Sequence, residues 1–178
     1  TEIMKRMEKG AEYSDFAILF RSAHLSRTIE QAFIRAGIPY VMWGGVRFFE
    51  RMEVKDCISY LRLVASDDDL AFERVVNTPS RKVGKVTLEL ISAYASQEGT
   101  SLYSALKNHL DDPKLDRPAL HGFVELIEEC RGSIFSRSVC GILEHILEKT
   151  GLKMEYRDDN DEQRLENITE LVNSIRIY

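Results

Sequence analysis

Along this chain, short apolar runs give way to long amphipathic stripes. Phe16-Ala17-Ile18-Leu19-Phe20 is short, continuous and apolar, the pattern of a buried parallel strand. From Ser26 onward, Ile29, Ala32, Phe33 and Ala36 share one helical face until Gly37 ends the helix and Pro39 prevents continuation. Residues 40–43 predict a second strand, completing a β-α-β unit with a right-handed crossover. A stronger helix starts at Arg51 or Met52, with Val54, Cys57, Ile58, Leu61, Val64 and Ala65 on one stripe. Ser66-Asp67-Asp68-Asp69 breaks it, and Asp69 can cap a short helix whose Phe72, Val75 and Val76 point inward. Asn77-Thr78-Pro79-Ser80 is a turn. Beyond Val86 the pattern is helical throughout, over about 86–97, 101–109, 119–131, 138–149 and 162–177. The fold class expected is α/β: a partial parallel sheet followed by a mostly α-helical region.

The segment 111–118 carries Pro113, Pro118 and alternating charges, and reads as a linker between residues 1–110 and 111–178. The final stripe (Leu165, Ile168, Leu171, Val172, Ile175) runs on with no stop signal, so the last region reads as truncated. Charge sharpens the division. Residues 1–85 hold 14 Lys and Arg against 12 Asp and Glu, whereas residues 86–178 hold 10 against 17. A net charge of -5 argues against a generally basic DNA-coating protein, so any polyanion contact must be local. No apolar run approaches the roughly 18 residues of a membrane span, and no signal peptide is evident, which suggests a cytoplasmic protein. Cys57, Cys130 and Cys140 lack metal or redox spacing and read as buried thiols.

Three places could carry chemistry. Phe20 and Arg21 end the first strand at the sheet edge where nucleotides bind in open α/β folds. There, an aromatic ring can stack on a base and an arginine can meet a phosphate, or the pair is simply core and surface. Gly44-Gly45-Val46-Arg47-Phe48-Phe49-Glu50-Arg51 couples backbone freedom with two arginines around aromatics. That suits single-stranded nucleic acid as well as a tight turn. Arg81, Lys82, Gly84 and Lys85 stand at a helix start, a plausible phosphate clamp. A weaker signal is Thr150-Gly151-Leu152-Lys153, either a helix–hairpin–helix or a plain glycine cap. Pro79 and Val86 stand where a P-loop needs its first glycine and its Ser or Thr. The Asp158-Asp159-Asn160-Asp161 run lacks the glycine of a calcium loop, and the histidines have no ligand spacing.

In this order, several segments resemble the UvrD/Rep/PcrA group of superfamily 1 DNA helicases. They are Ala17-Ile18-Leu19-Phe20-Arg21-Ser22, Ser26-Arg27, Ile38-Pro39-Tyr40, Gly44 to Arg51, Glu53-Val54-Lys55-Asp56, Tyr60-Leu61-Arg62-Leu63 and Phe72 to Pro79. The resemblance is clear over the first 85 residues and looser beyond, where Arg164-Leu165-Glu166-Asn167-Ile168 is the best anchor. It implies that residues 1–110 are the first part of the second RecA-like domain (2A), and 111–178 the start of the inserted 2B domain. It further implies that Arg21 contacts the γ-phosphate of ATP and that Phe20 packs on adenine. Gly44, Gly45, Arg47, Phe48 and Arg51 fall near the single-strand track. Arg81, Lys82, Gly84 and Lys85 match a hairpin usually written Arg-Gly-Ile-Gly, with Lys82 in place of its first glycine. Thr150, Gly151 and Lys153 fall where 2B touches duplex DNA.

The function expected by resemblance is part of an ATP-dependent 3′–5′ DNA helicase serving repair or replication. ATP and Mg2+ would be bound mainly by a first motor domain, because no Walker A loop occurs in these 178 residues. The chain alone should therefore not hydrolyse ATP. Single-stranded and duplex DNA are the expected partners, with protein partners through the helical 2B region. The alternative is a non-catalytic helicase-like scaffold or protein-docking helical module, in which Arg21 is dispensable.

Overall fold

The computed structural model describes residues 2–21, 25–43, 46–158 and 162–176. The chain divides into two units, Thr1–Arg51 and Met52–Tyr178. Among the described residues no strand forms in either, which corrects the expected α/β fold with its partial parallel sheet.

The first unit holds α1 (Glu2–Met7), a 3₁₀ turn (Tyr13–Asp15), α2 (Leu25–Ala36) and a second 3₁₀ turn (Phe48–Glu50). Gly37 ends α2 in the left-handed region (φ 64°), and Ile38 N returns to Phe33 O at 2.9 Å. Residues 16–20 and 40–43 run without regular structure. The reason is cover. A parallel strand is stable when both faces are buried, yet Leu19 is 95% exposed, Val41 77% and Trp43 91%. The two segments instead line an open groove of about 740 Å³ beside α2. A buried carboxylate holds this arrangement together. Glu30 accepts from Tyr40 Oη at 2.9 Å and from Phe48 N at 3.3 Å. Burial and that carboxylate push the Tyr40 phenol up to about 12.

The second unit is all helix: α3 (Met52–Ala65), α4 (Asp69–Val75), α5 (Lys85–Glu98), α6 (Leu102–Asn108), α7 (Pro118–Gly132), α8 (Val139–Thr150), α9 (Leu152–Asp158) and α10 (Glu162–Arg176). Their apolar stripes converge on α3, which packs against α4, α7, α8 and α10. Tyr60, Phe72, Tyr103 and Phe123 form an edge-to-face aromatic cluster at its centre, with centroids 6.2 to 6.5 Å apart. Asp68 caps α4, accepting from Ala71 N at 2.9 Å. Its neighbour Asp69 reaches across to Leu102 N at 2.8 Å and so anchors the start of α6. Cys57, Cys130 and Cys140 are free and buried. No described helix is long and apolar enough to cross a membrane.

The segment 111–118 lies inside this second unit. Leu115 is fully buried, and Arg117 donates to Lys82 O at 3.0 Å. Prolines and charges at its surface hide one well-packed leucine. Leu115→Ala is therefore expected to cost about 2–5 kcal/mol, the range for a buried leucine. Urea unfolding checks this, and a loss below about 0.5 kcal/mol would mark the segment as a loose connector.

Candidate nucleic-acid interface

In the first unit, Phe20 is 38% exposed and lines the groove, with Arg21 exposed beside it. Arg21 makes no hydrogen bond or ion pair among the described residues. Tyr40 and Trp43 line the same groove, and of these three rings Phe20 and Trp43 are the more open to solvent. Such a groove offers faces to a flat base and a guanidinium to a phosphate. Gly44 and Gly45 lie outside the described residues.

The arginines that follow are differently used. Arg47 pairs with Glu50. Arg51 lies over the Phe48 ring at 5.5 Å and Arg27 over the same ring at 5.8 Å. Phe48 itself is fully buried, so its ring supports the arginines rather than facing a base.

In the second unit, the turn before α5 sorts its cations by geometry. Arg81 is consumed internally. Its Nη1 donates to the carbonyls of Val75, Val76 and Pro79 at 3.0 to 3.2 Å, and its Nη2 to Tyr60 Oη at 2.8 Å. Its guanidinium also lies 4.8 Å from the Phe123 centroid. Asn77 Oδ1 closes the turn by accepting from Arg81 N at 2.8 Å and Val83 N at 3.0 Å. The effect is to turn Lys82 and Lys85 outward. Lys82 sits at φ 57°, the left-handed region that favours glycine, and is exposed. Lys85 has 89% of its side chain exposed, with only a loose 3.8 Å pairing to Glu89. Gly84 is the N-cap of α5 with no side-chain hydrogen bond over the helix end.

The α8–α9 junction is built in a similar way. Gly151 ends α8 at φ 68°. The Thr150 hydroxyl donates to Ile146 O at 2.7 Å and accepts from Leu152 N at 3.2 Å, so it is spent within the hairpin. Leu152 is buried as the anchor, and Lys153 is exposed. Of the candidate contact residues, Arg21, Lys82, Lys85 and Lys153 are thus cations exposed without a close partner among the described residues.

The family model described as the UvrD-like helicase C-terminal domain matches residues 1–178. The chain belongs to this family. It is 37% identical over 178 residues to DNA helicase II of Escherichia coli (strain K12), across 96% of this chain and 25% of that protein. It is 36% identical over 185 residues to DNA helicase II of Haemophilus influenzae, across 100% and 25%. It is also 35% identical over 188 residues to the ATP-dependent DNA helicase PcrA of Staphylococcus epidermidis, across 99% and 25%. The chain therefore spans about a quarter of the length of these relatives.

This UvrD-like segment also uses residues that periodicity passes over. Glu53 and Asp56 are 4% exposed on the buried side of α3, where they accept hydrogen bonds from Asn167 and Tyr156. The available signal was an acidic pair one turn apart beside an apolar stripe. Its ordinary meaning, a solvated helix start, concealed it.

Proposed function

We propose that this chain is part of an ATP-dependent DNA helicase that moves 3′ to 5′ on single strands and unwinds duplex in repair or replication. Residues 1–110 belong to its second motor domain and 111–178 to the start of its inserted domain. Phe20 stacks on adenine and Arg21 meets the γ-phosphate, stabilising the charge that develops there during phosphoryl transfer. Among the described residues no group of three or more His, Cys, Asp or Glu could hold a metal ion. By the family resemblance, Mg2+ accompanies the phosphates on the other motor domain, and this chain supplies the arginine.

Lys82, Lys85, Lys153 and the helix start at Gly84 hold DNA phosphates. The observation that carries the reading is the sorting of cations. Arg81 and Arg117 are tied to backbone carbonyls, while the lysines beside them are turned outward. Arg47 and Arg51 remain the candidates along the single-strand track.

Fluorescence anisotropy with a labelled duplex bearing a 3′ single-stranded tail tests the DNA half of the proposal. Lys85→Ala and Lys153→Ala are each expected to weaken binding by about 3- to 10-fold and to lower the salt slope by about one. Unchanged affinity and slope in both variants would overturn these contacts.

A further inference from the structure

The buried side of α3 carries a polar row. Glu53, Asp56 and Tyr60 stand at i, i+3 and i+7, on one helical face. They are 4%, 4% and 0% exposed. Each reaches a different part of the second unit. Tyr60 Oη donates to Thr78 O and accepts from Arg81 Nη2, gripping the turn that leads into Lys82 and Lys85. Asp56 Oδ2 accepts from Tyr156 Oη at 2.5 Å, on α9 one turn beyond Lys153. Its Oδ1 accepts from Arg74 Nε at 2.7 Å, on α4. Glu53 Oε1 accepts from Asn167 Nδ2 at 2.6 Å, on α10.

Apolar side chains of similar volume would hold such a core at least as well, because burying charge is costly. What hydrogen bonds add is direction, since each one fixes a donor against an acceptor within tenths of an ångström. Asp56 and Tyr60 are four residues apart, so the anchors of both hairpins lie about 6 Å apart along one rigid helix.

We infer that Tyr60 and Asp56 are positioning residues for DNA binding, holding the hairpins at 79–85 and 149–153 in a fixed mutual register. The inference rests on the proposed DNA contacts of Lys85 and Lys153. Two weak phosphate contacts reinforce one another only when geometry lets both engage together, and α3 supplies that geometry. Tyr156 carries the hydroxyl that Asp56 holds. Burial, together with the Asp56 carboxylate, pushes its phenol up, so it stays a donor.

Double-mutant cycles on the 178-residue chain test this, with the same tailed duplex as probe. Tyr60→Phe and Tyr156→Phe each remove one hydroxyl and keep the ring. Each is expected to weaken binding by about 3- to 10-fold and to lower the salt slope by about one. Tyr156→Phe should have no further effect in a Lys153→Ala background, and Tyr60→Phe none in a Lys85→Ala background. The crossed pairs should also fall short of multiplying, because mutual register counts only while both contacts exist. The slope guards against a folding artefact, since a partly unfolded population lowers amplitude but leaves the slope unchanged. Hydroxyl variants that bind as tightly as the parent would overturn the inference, as would effects that multiply in every background. Lysine variants without effect would overturn the proposed DNA contacts, and this inference with them.

Discussion

Arg21→Ala in the full-length protein is expected, on the proposed function, to lower kcat for ATP by about 10³-fold or more, the usual worth of an arginine on a transferred phosphoryl group. That corresponds to about 4 kcal/mol of transition-state stabilisation. Binding of single-stranded DNA should persist. The two effects separate because Arg21 is exposed and holds nothing together among the described residues. Its removal takes away a charge from the site without disturbing packing. Arg21→Lys should recover only part of the rate, since an ammonium is a point charge without the planar fork that engages two oxygens. Steady-state phosphate release at saturating DNA, with a parallel binding titration, reads both quantities. A kcat within about threefold of the parent would overturn the role of Arg21 and favour the non-catalytic scaffold.

Phe123→Ala is expected to destabilise the second unit by about 3–5 kcal/mol, the range for a buried phenylalanine. Phe123 is 2% exposed and meets Tyr60 at 6.4 Å and Phe72 at 6.2 Å. It also carries the Arg81 guanidinium on its face. Truncation would therefore open a cavity beside the rings of Tyr60 and Phe72 and remove the floor beneath the residue that shapes the Lys82 turn. Helical circular dichroism should show Tm falling by roughly 10–20 °C. A loss below about 1 kcal/mol would mean that the cluster can collapse around the gap, against the geometry described.

The helices were legible wherever one face is apolar and the ends carry chemistry. Gly37 and Gly151 sit at left-handed caps where pattern alone placed helix ends. The strands were not legible in this sense. An apolar run of five residues is compatible with a buried strand, but burial requires neighbours, and Leu19 and Trp43 are almost fully exposed. Capping misread by one residue: Asp68 closes α4, and Asp69 serves α6, thirty-three positions away in sequence. Among the candidate contact residues, residue type was a poor guide. Arg81 and Lys82 are adjacent cations, yet one is locked under a turn and the other faces solvent. Phe48 reads equally as a stacking ring or as packing under a turn, and it is buried beneath two arginines.

The sequence by itself determined family, helix placement and the inventory of cations and aromatics, because periodicity, caps and motif order are local properties. Tertiary structure decided which of those groups are free to act. Carbonyls at Val75, Val76, Pro79 and Lys82 draw in Arg81 and Arg117, and no local rule foretells that capture. It also placed Glu53, Asp56 and Tyr60 in the interior. There each meets a donor or acceptor from another element, in Asp56 and Glu53 from about a hundred residues away. Hydrogen bonds of that range exist only once the helices have packed, and they turn an amphipathic helix into the mount for two separate hairpins.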